Sequence, residues 1–231
     1  MRHLRFFLLS LAGFLVSPLS SRAQVSCPAS SFSSCFTTRP ITTAHDTSFC
    51  CDFLSACGYA ITNHEAGQFH ADAHGGFDSG GGHATLTAVD RFTVLGPSRP
   101  DPIAISALLD IHGVASSGFT GSGCSSGSAS FSIASTGVPA DSRSIESHCS
   151  PVSIDLTLGI SISAHVGESF DLSIVTSASG SSGSGGGSAD SQLRFAGLPA
   201  GYIVASCKGF RADGPVPTRF ASWSALKKIY R

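Results

Sequence analysis

Between Val152 and His165 the chain alternates without a break. Val152, Ile154, Leu156, Leu158, Ile160, Ile162 and Ala164 interleave with Ser153, Asp155, Thr157, Gly159, Ser161, Ser163 and His165. A strand turns successive side chains to opposite faces, so a period of two predicts a half-buried β-strand. On a helix the same residues would scatter around the whole circumference. The pattern returns in Phe170-Leu172-Ile174 and in Ile103-Ile105-Ala107-Leu109-Ile111. It is fainter in Phe131-Ile133, Leu193-Phe195, Leu86 to Leu95 and Tyr202-Val204. Turn formers separate these runs: Gly96-Pro97, Gly137 to Pro139, His165 to Gly167, Ser177 to Gly187 and Leu198-Pro199-Ala200-Gly201. About eight strands at this spacing, with no long helical period, predict an all-β fold, a jelly-roll-like β-sandwich.

Composition fits that fold once the strand faces are considered. Ser occupies 42 positions and Gly 26, while charged residues make up only 13%. Ser and Thr take the outward strand positions where Lys and Glu usually sit, and the Gly runs at 118–127 and 180–187 read as hairpin loops. A hydrophobic content of 42% excludes a fully disordered chain. With 14 bases against 15 acids, nucleic acid is not an expected partner, because that affinity comes largely from neutralising phosphates.

The N-terminus reads as an export signal. Arg2 and Arg5 precede an apolar stretch from Phe6 to Val16, followed by Pro18 and the small residues Ser21 and Ala23. This layout predicts a secretory signal peptide over 1–23, cleaved after Ala23. The stretch is too short for a membrane span, which needs about 20 apolar residues. No transmembrane anchor is therefore expected after cleavage, and the chain is placed outside the cell or in the cell envelope.

All eight cysteines lie beyond that point: Cys27, Cys35, Cys50, Cys51, Cys57, Cys124, Cys149 and Cys207. An even number in an exported chain reads as disulfides. Five fall early and three late, so complete pairing needs at least one bridge from the N-terminal group to the main body. Bonding of the neighbours Cys50 and Cys51 would strain the usual Cα spacing, so they point to different partners. Cys124 with Cys149, and Cys207 with one of the early five, are the expected pairs. Residues 24–66 read as an irregular, disulfide-stapled segment with a short helical turn near Phe49 to Cys57. The sandwich is expected over 67–212, followed by a tail over 213–231.

The string Gly185-Gly186-Gly187-Ser188-Ala189-Asp190-Ser191-Gln192-Leu193, running on to Phe195-Ala196-Gly197-Leu198-Pro199-Ala200-Gly201, is preceded by Ser169-Phe170-Asp171-Leu172-Ser173-Ile174. Together they resemble the final hairpin of exported bacterial β-sandwich proteins of the PEP-CTERM sorting-signal type. Gly82-His83-Ala84-Thr85-Leu86-Thr87, through Ile103 to Gly113, resembles the central strands of that family. The likeness spans roughly residues 67–210 and implies an exported, non-catalytic surface or matrix protein. The sorting signal itself is degenerate or missing: Pro215-Val216-Pro217 is followed by Thr218 to Arg231, without an apolar span.

The most chemical-looking segment runs from His64 to His83. If His70, Asp72 and His74 lie on one strand, they project from one face at steps of about 6.8 Å. Neighbours could then share a divalent ion, with His64 or His83 contributed by an adjacent strand, so His70, Asp72, His74 and His83 are the candidate metal ligands. The alternative is that these histidines serve as neutral polar residues on an outward face. Gly123-Cys124-Ser125-Ser126-Gly127 matches the G-x-S-x-G hydrolase elbow, yet Ala129-Phe131-Ile133 reads as strand where that motif needs a helix. Ser224-Ala225-Leu226-Lys227 lacks companion motifs, and the Gly-rich runs contain no G-K-[ST]. The tail from Phe220 to Arg231 has helical apolar spacing beside three cations, but it is short and reads as a frayed end.

The expected function is non-enzymatic and needs no cofactor: an envelope or extracellular-matrix component. The alternative is an extracellular binding module that takes a carbohydrate or a divalent metal through the His-rich segment 64–83. An extracellular polysaccharide or envelope component is the expected partner class.

Overall fold

A computed structural model describes residues 26–34, 37–51, 56–76, 81–120, 123–181 and 183–214. The expected signal segment, Cys35 and the tail from 215 onward, including Pro215-Val216-Pro217 and Phe220 to Arg231, lie outside the described residues. In chain order the strands are β1 (Ser30–Ser34), β2 (Thr37–Ile41), β3 (His45–Cys51), β4 (Cys57–Asn63) and β5 (Gln68–His74). Next come β6 (Gly82–Leu95), β7 (Ile103–Ser116), β8 (Phe119–Thr120), β9 (Gly123–Cys124), β10 (Ser126–Ser135) and β11 (Val138–His148). The last are β12 (Val152–Ala164), β13 (Ser169–Gly180), β14 (Gly186–Ala196), β15 (Ile203–Ser206) and β16 (Arg211–Asp213).

The strands form two antiparallel sheets with a β8–β9 ribbon at one end. The eight-stranded sheet runs β11-β10-β13-β6-β1-β2, with β15 pairing β6 and β16 pairing β15. The six-stranded sheet runs β12-β7-β14-β5-β4-β3. The β-sandwich expected from the alternation is thus present. The chain crosses from one sheet to the other at β2–β3, β5–β6, β6–β7, β7–β10 by way of the β8–β9 ribbon, β11–β12, β12–β13, β13–β14 and β14–β15. Strand alternation then builds the core between the sheets. Leu86, Phe92, Val94, Phe131, Ile133 and Leu172 come from one side, and Phe69, Ile105, Leu109, Ile111, Leu158 and Leu193 from the other.

Hydroxyls cover the outer face of the eight-stranded sheet, in keeping with the composition. Thr85 pairs with Ser177, Ser128 with Ser179 and Thr93 with Ser169, each at 2.7 Å between side-chain oxygens. Such cross-strand pairs solvate and tie a sheet face without adding charge.

Two expectations give way. The segment 24–66 is not irregular and has no helical turn near Phe49 to Cys57 among its described residues; these supply β1 to β4, shared between the two sheets. Phe49 lies in β3 and Cys57 opens β4. The period is hidden in the sequence because the inward positions there are filled by Ser30, Ser34 and Ser48, which are buried, with a 3.2 Å hydroxyl pair between Ser34 and Ser48. The glycines, expected in hairpin loops, include several at inward strand positions at one end of the sandwich. A Cβ on Gly127 would meet the Gly186 carbonyl oxygen at 1.9 Å, and one on Gly187 would meet that of Ser128 at 1.9 Å. Sheets normally pack about 10 Å apart, so only the absence of side chains lets the two backbones touch here.

Disulfides follow the expected pairs. Cys124 bonds Cys149, and Cys207 bonds Cys27 from the N-terminal group. Cys51 bonds Cys57, and Cys50 is also disulfide-bonded, so the two neighbours take different partners. Bridges of this kind persist in oxidising compartments outside the cytoplasm. No helix among the described residues is long and apolar enough to cross a membrane.

Both edges of the six-stranded sheet are plugged by a charged side chain from the facing sheet. Asp141 on β11 accepts the Gly159 N–H of edge strand β12 at 3.0 Å. Arg39 on β2 donates to Asp46 at 3.0 Å and to the Thr47 carbonyl on edge strand β3, with its guanidinium 5.2 Å from the Phe32 ring centroid.

Candidate binding face

The outer face of the six-stranded sheet carries a depression of ≈ 870 Å³. Its side chains are set by strand register. Thr47 on β3 pairs with Ile61 on β4, Ile61 with His70 on β5, and His70 with Asp190 on β14. Asp190 then pairs with His112 on β7, and His112 with Asp155 on β12. One straight row therefore crosses all six strands, reading Thr47, Ile61, His70, Asp190, His112, Asp155. A second row, two residues along each strand, reads His45, Asn63, Gln68, Gln192, Asp110, Thr157. Apart from Thr157, every member of both rows lines the depression.

Within the rows the His70 imidazole donates from Nδ1 to Asp190 Oδ1 at 2.7 Å. Arg194 holds Asp110 through two bonds, Nε to Oδ2 at 2.5 Å and Nη2 to Oδ1 at 3.0 Å. Thr157 donates to the same carboxylate at 2.5 Å. The bonds from Arg194 first, and from Thr157 second, hold the Asp110 carboxyl below its usual range. Asp155 and His112 have no side-chain hydrogen bond or ion pair among the described residues and face solvent.

The next row along the same face adds aromatic surface. Phe49 is 69% exposed, the most exposed large apolar side chain described. Its ring sits edge-on to Tyr59 with centroids 6.4 Å apart, and Tyr59 is edge-on to His70 at 5.8 Å. An exposed aromatic ring beside the depression presents apolar surface that burial against a ligand would remove.

The four residues expected to bind metal are not brought together. His70, Asp72 and His74 do project outward from β5, in line with the strand period. His70 is committed to Asp190, and His74 Nε2 lies 3.4 Å from Asp72 Oδ1. His83 lies on β6 of the other sheet, faces outward and bonds Thr85 at 2.9 Å. The crossover between β5 and β6 puts the thickness of the sandwich between His83 and the rest. His64 is buried in the interior, 3.9 Å from the Asp90 carboxylate, and its Nε2 has no partner. Burial first, then the charge of Lys208, lowers its pKa from 6.5 to about 4. Among the described residues, no group of three or more His, Cys, Asp or Glu side chains is arranged to hold a metal ion.

Ser125 is a structural residue. It is buried, donates to the Gly183 carbonyl at 2.9 Å and accepts the Gly118 N–H at 2.6 Å. Strand β10 begins directly after it, where a hydrolase elbow requires a helix. Sequence reasoning missed His112, Asp155 and Asp190 as partners of His70, because only sheet register joins residues so far apart in the chain.

No family model and no curated protein matches the chain. Among solved structures, the carbohydrate-binding module TmCBM61 in complex with β-1,4-galactotriose is similar, at 10% identity and a TM-score of 0.28. That alignment covers 67% of this chain and 88% of the other.

Proposed function

We propose that the protein is an exported, non-catalytic binding module that holds a carbohydrate on the outer face of its six-stranded sheet. The observation that carries this reading is the in-register double row of imidazole, carboxylate and amide side chains lining the depression, with Phe49 and Tyr59 beside it. Sugars offer hydroxyls that both donate and accept, together with apolar ring faces that stack on aromatics, and this face presents both kinds of partner. The disulfides and the signal-like N-terminus support export. An exported chain of the PEP-CTERM type meets surface or matrix polysaccharide once outside, so binding is also a means of retention there.

The test is affinity electrophoresis of the purified chain in gels containing soluble polysaccharides, backed by pull-down on insoluble ones. Retardation by at least one polysaccharide, lost in Phe49→Ala/Tyr59→Ala with an unchanged melting temperature, is the expected result. Free migration in every gel and no pull-down would sink the proposal.

A further inference from the structure

Resting on that reading, we propose a ligand class and a binding mode: a neutral, linear polysaccharide gripped along its length, running across the strands over the His70–Asp190–His112–Asp155 row.

The shape of the depression sets the direction. Its lining reaches from edge strand β3 to edge strand β12, yet the outward-facing side chains in it fall in only two rows. Five strand spacings of about 4.8 Å make it about 24 Å long, whereas one two-residue step makes it about 7 Å high. Such a groove takes an extended polymer in single file, perpendicular to the strands. Because the groove runs from one sheet edge to the other, the chain passes through and internal segments are recognised. The strand spacing is also close to the length of one sugar in an extended chain, so each strand offers its side chain to successive sugars.

The chemistry of the row sets the charge. Asp190 and Asp155 are acceptors when ionised, while an imidazole such as that of His112 offers one ring nitrogen as donor and, when neutral, the other as acceptor. Alternation of these two kinds along the row suits vicinal hydroxyls, which donate to carboxylates and exchange bonds with imidazoles. It does not suit anions. The cations near the groove are already committed, Arg194 to Asp110 and Arg39 to Asp46. Lys208, the one lysine among the described residues, is turned away, with Nζ bonded to Ser30 Oγ and to the Val89 carbonyl. A uronate, sulfate or phosphate on the polymer would face Asp155 and Asp190 with no Lys or Arg in the lining to offset the repulsion.

The experiment is isothermal titration of the full chain with neutral linear oligosaccharides, from disaccharide to octasaccharide, and with matched oligouronates. Affinity for a neutral series should climb with length until the groove is filled and then level off. His112→Ala and Asp155→Asn should each weaken the longest oligosaccharide about ten-fold or more with the melting temperature unchanged, and oligouronates should give no heat. Asp155→Arg/Asp190→Arg should admit the oligouronates. Wild-type binding of oligouronates as tight as the neutral series overturns the charge assignment, and a disaccharide as tight as the octasaccharide overturns the lengthwise grip. Either result leaves the carbohydrate reading standing, whereas silence from every glycan removes both.

Discussion

The Asp141 carboxylate reaches from one sheet to the other and accepts the Gly159 amide at the centre of edge strand β12, 3.0 Å away. That strand is 13 residues long and contains no Lys and no Pro, two of the usual deterrents to edge pairing. Asp141 therefore serves as a plug. Asp141→Ala should lose about 1 kcal/mol in stability and should form dimers or larger species as concentration rises. Analytical ultracentrifugation reads this directly. A strictly monomeric variant at high concentration would show that the plug has no such role.

The glycine contact between sheets makes a sharp position-dependent prediction. Gly127→Ala must push β10 away from Gly186, at a cost of about 2 kcal/mol or more. Gly123→Ala meets nothing within 4 Å, and its effect should stay within about 0.5 kcal/mol. Urea titrations of the two variants give the comparison, and equal midpoints would contradict it.

His64 gives the fold an acid sensitivity. Unfolded, it titrates near 6.5; folded, near 4. Between those values the unfolded chain binds a proton that the folded chain refuses, so stability falls as pH drops from 6.5 to 4. The loss amounts to about 3 kcal/mol when complete. Asp90, whose carboxyl burial raises, works in the opposite direction by gaining stability as it protonates. His64→Gln should flatten the descent between pH 6.5 and 4 relative to wild type, as read by melting temperature across that range. Parallel wild-type and variant curves would refute the assignment to His64.

Arg91 and Asp171 join β6 to β13 through bonds of 2.6 and 2.8 Å, and the Arg91 bonds hold the Asp171 carboxyl below its usual range. Each side chain is 34% exposed, so solvent screens the pair and keeps its contribution small. Arg91→Gln should lower the melting temperature slightly at pH 7 and progressively less as pH falls and Asp171 protonates in both forms. A cost unchanged at acid pH would mean that packing, and not charge, holds the contact.

Legibility in the sequence depends on how each strand is buried. β7, β12 and β13 show their period plainly, because one face of each meets the core in aliphatic side chains, whereas β6 shows it more faintly, with Gly82 and Asp90 among its inward positions. β11 does not: as an edge strand it is largely exposed, and Val138-Pro139-Ala140-Asp141-Ser142-Arg143 carries no apolar alternation. β1, β3 and β4 are hidden by serine, threonine or glycine at inward positions, and β2 by its exposure at all but Ile41. The same division applies to the binding face. The outward projection of His70, Asp72 and His74 is readable from local period alone. The row linking His70 to Asp190, His112 and Asp155 is a product of register among strands distant in sequence.

The Cys27–Cys207 bridge spans 180 positions and encloses nearly every strand described. Topologically the bridged chain is a closed hoop. A protease that cuts one exposed turn opens the hoop into a single linear piece and releases no fragment, so both halves of the sandwich stay tethered and can re-form. Outside the cytoplasm, where such a bridge persists, one nick is survivable, and only a second cut elsewhere in the hoop can carry a segment away.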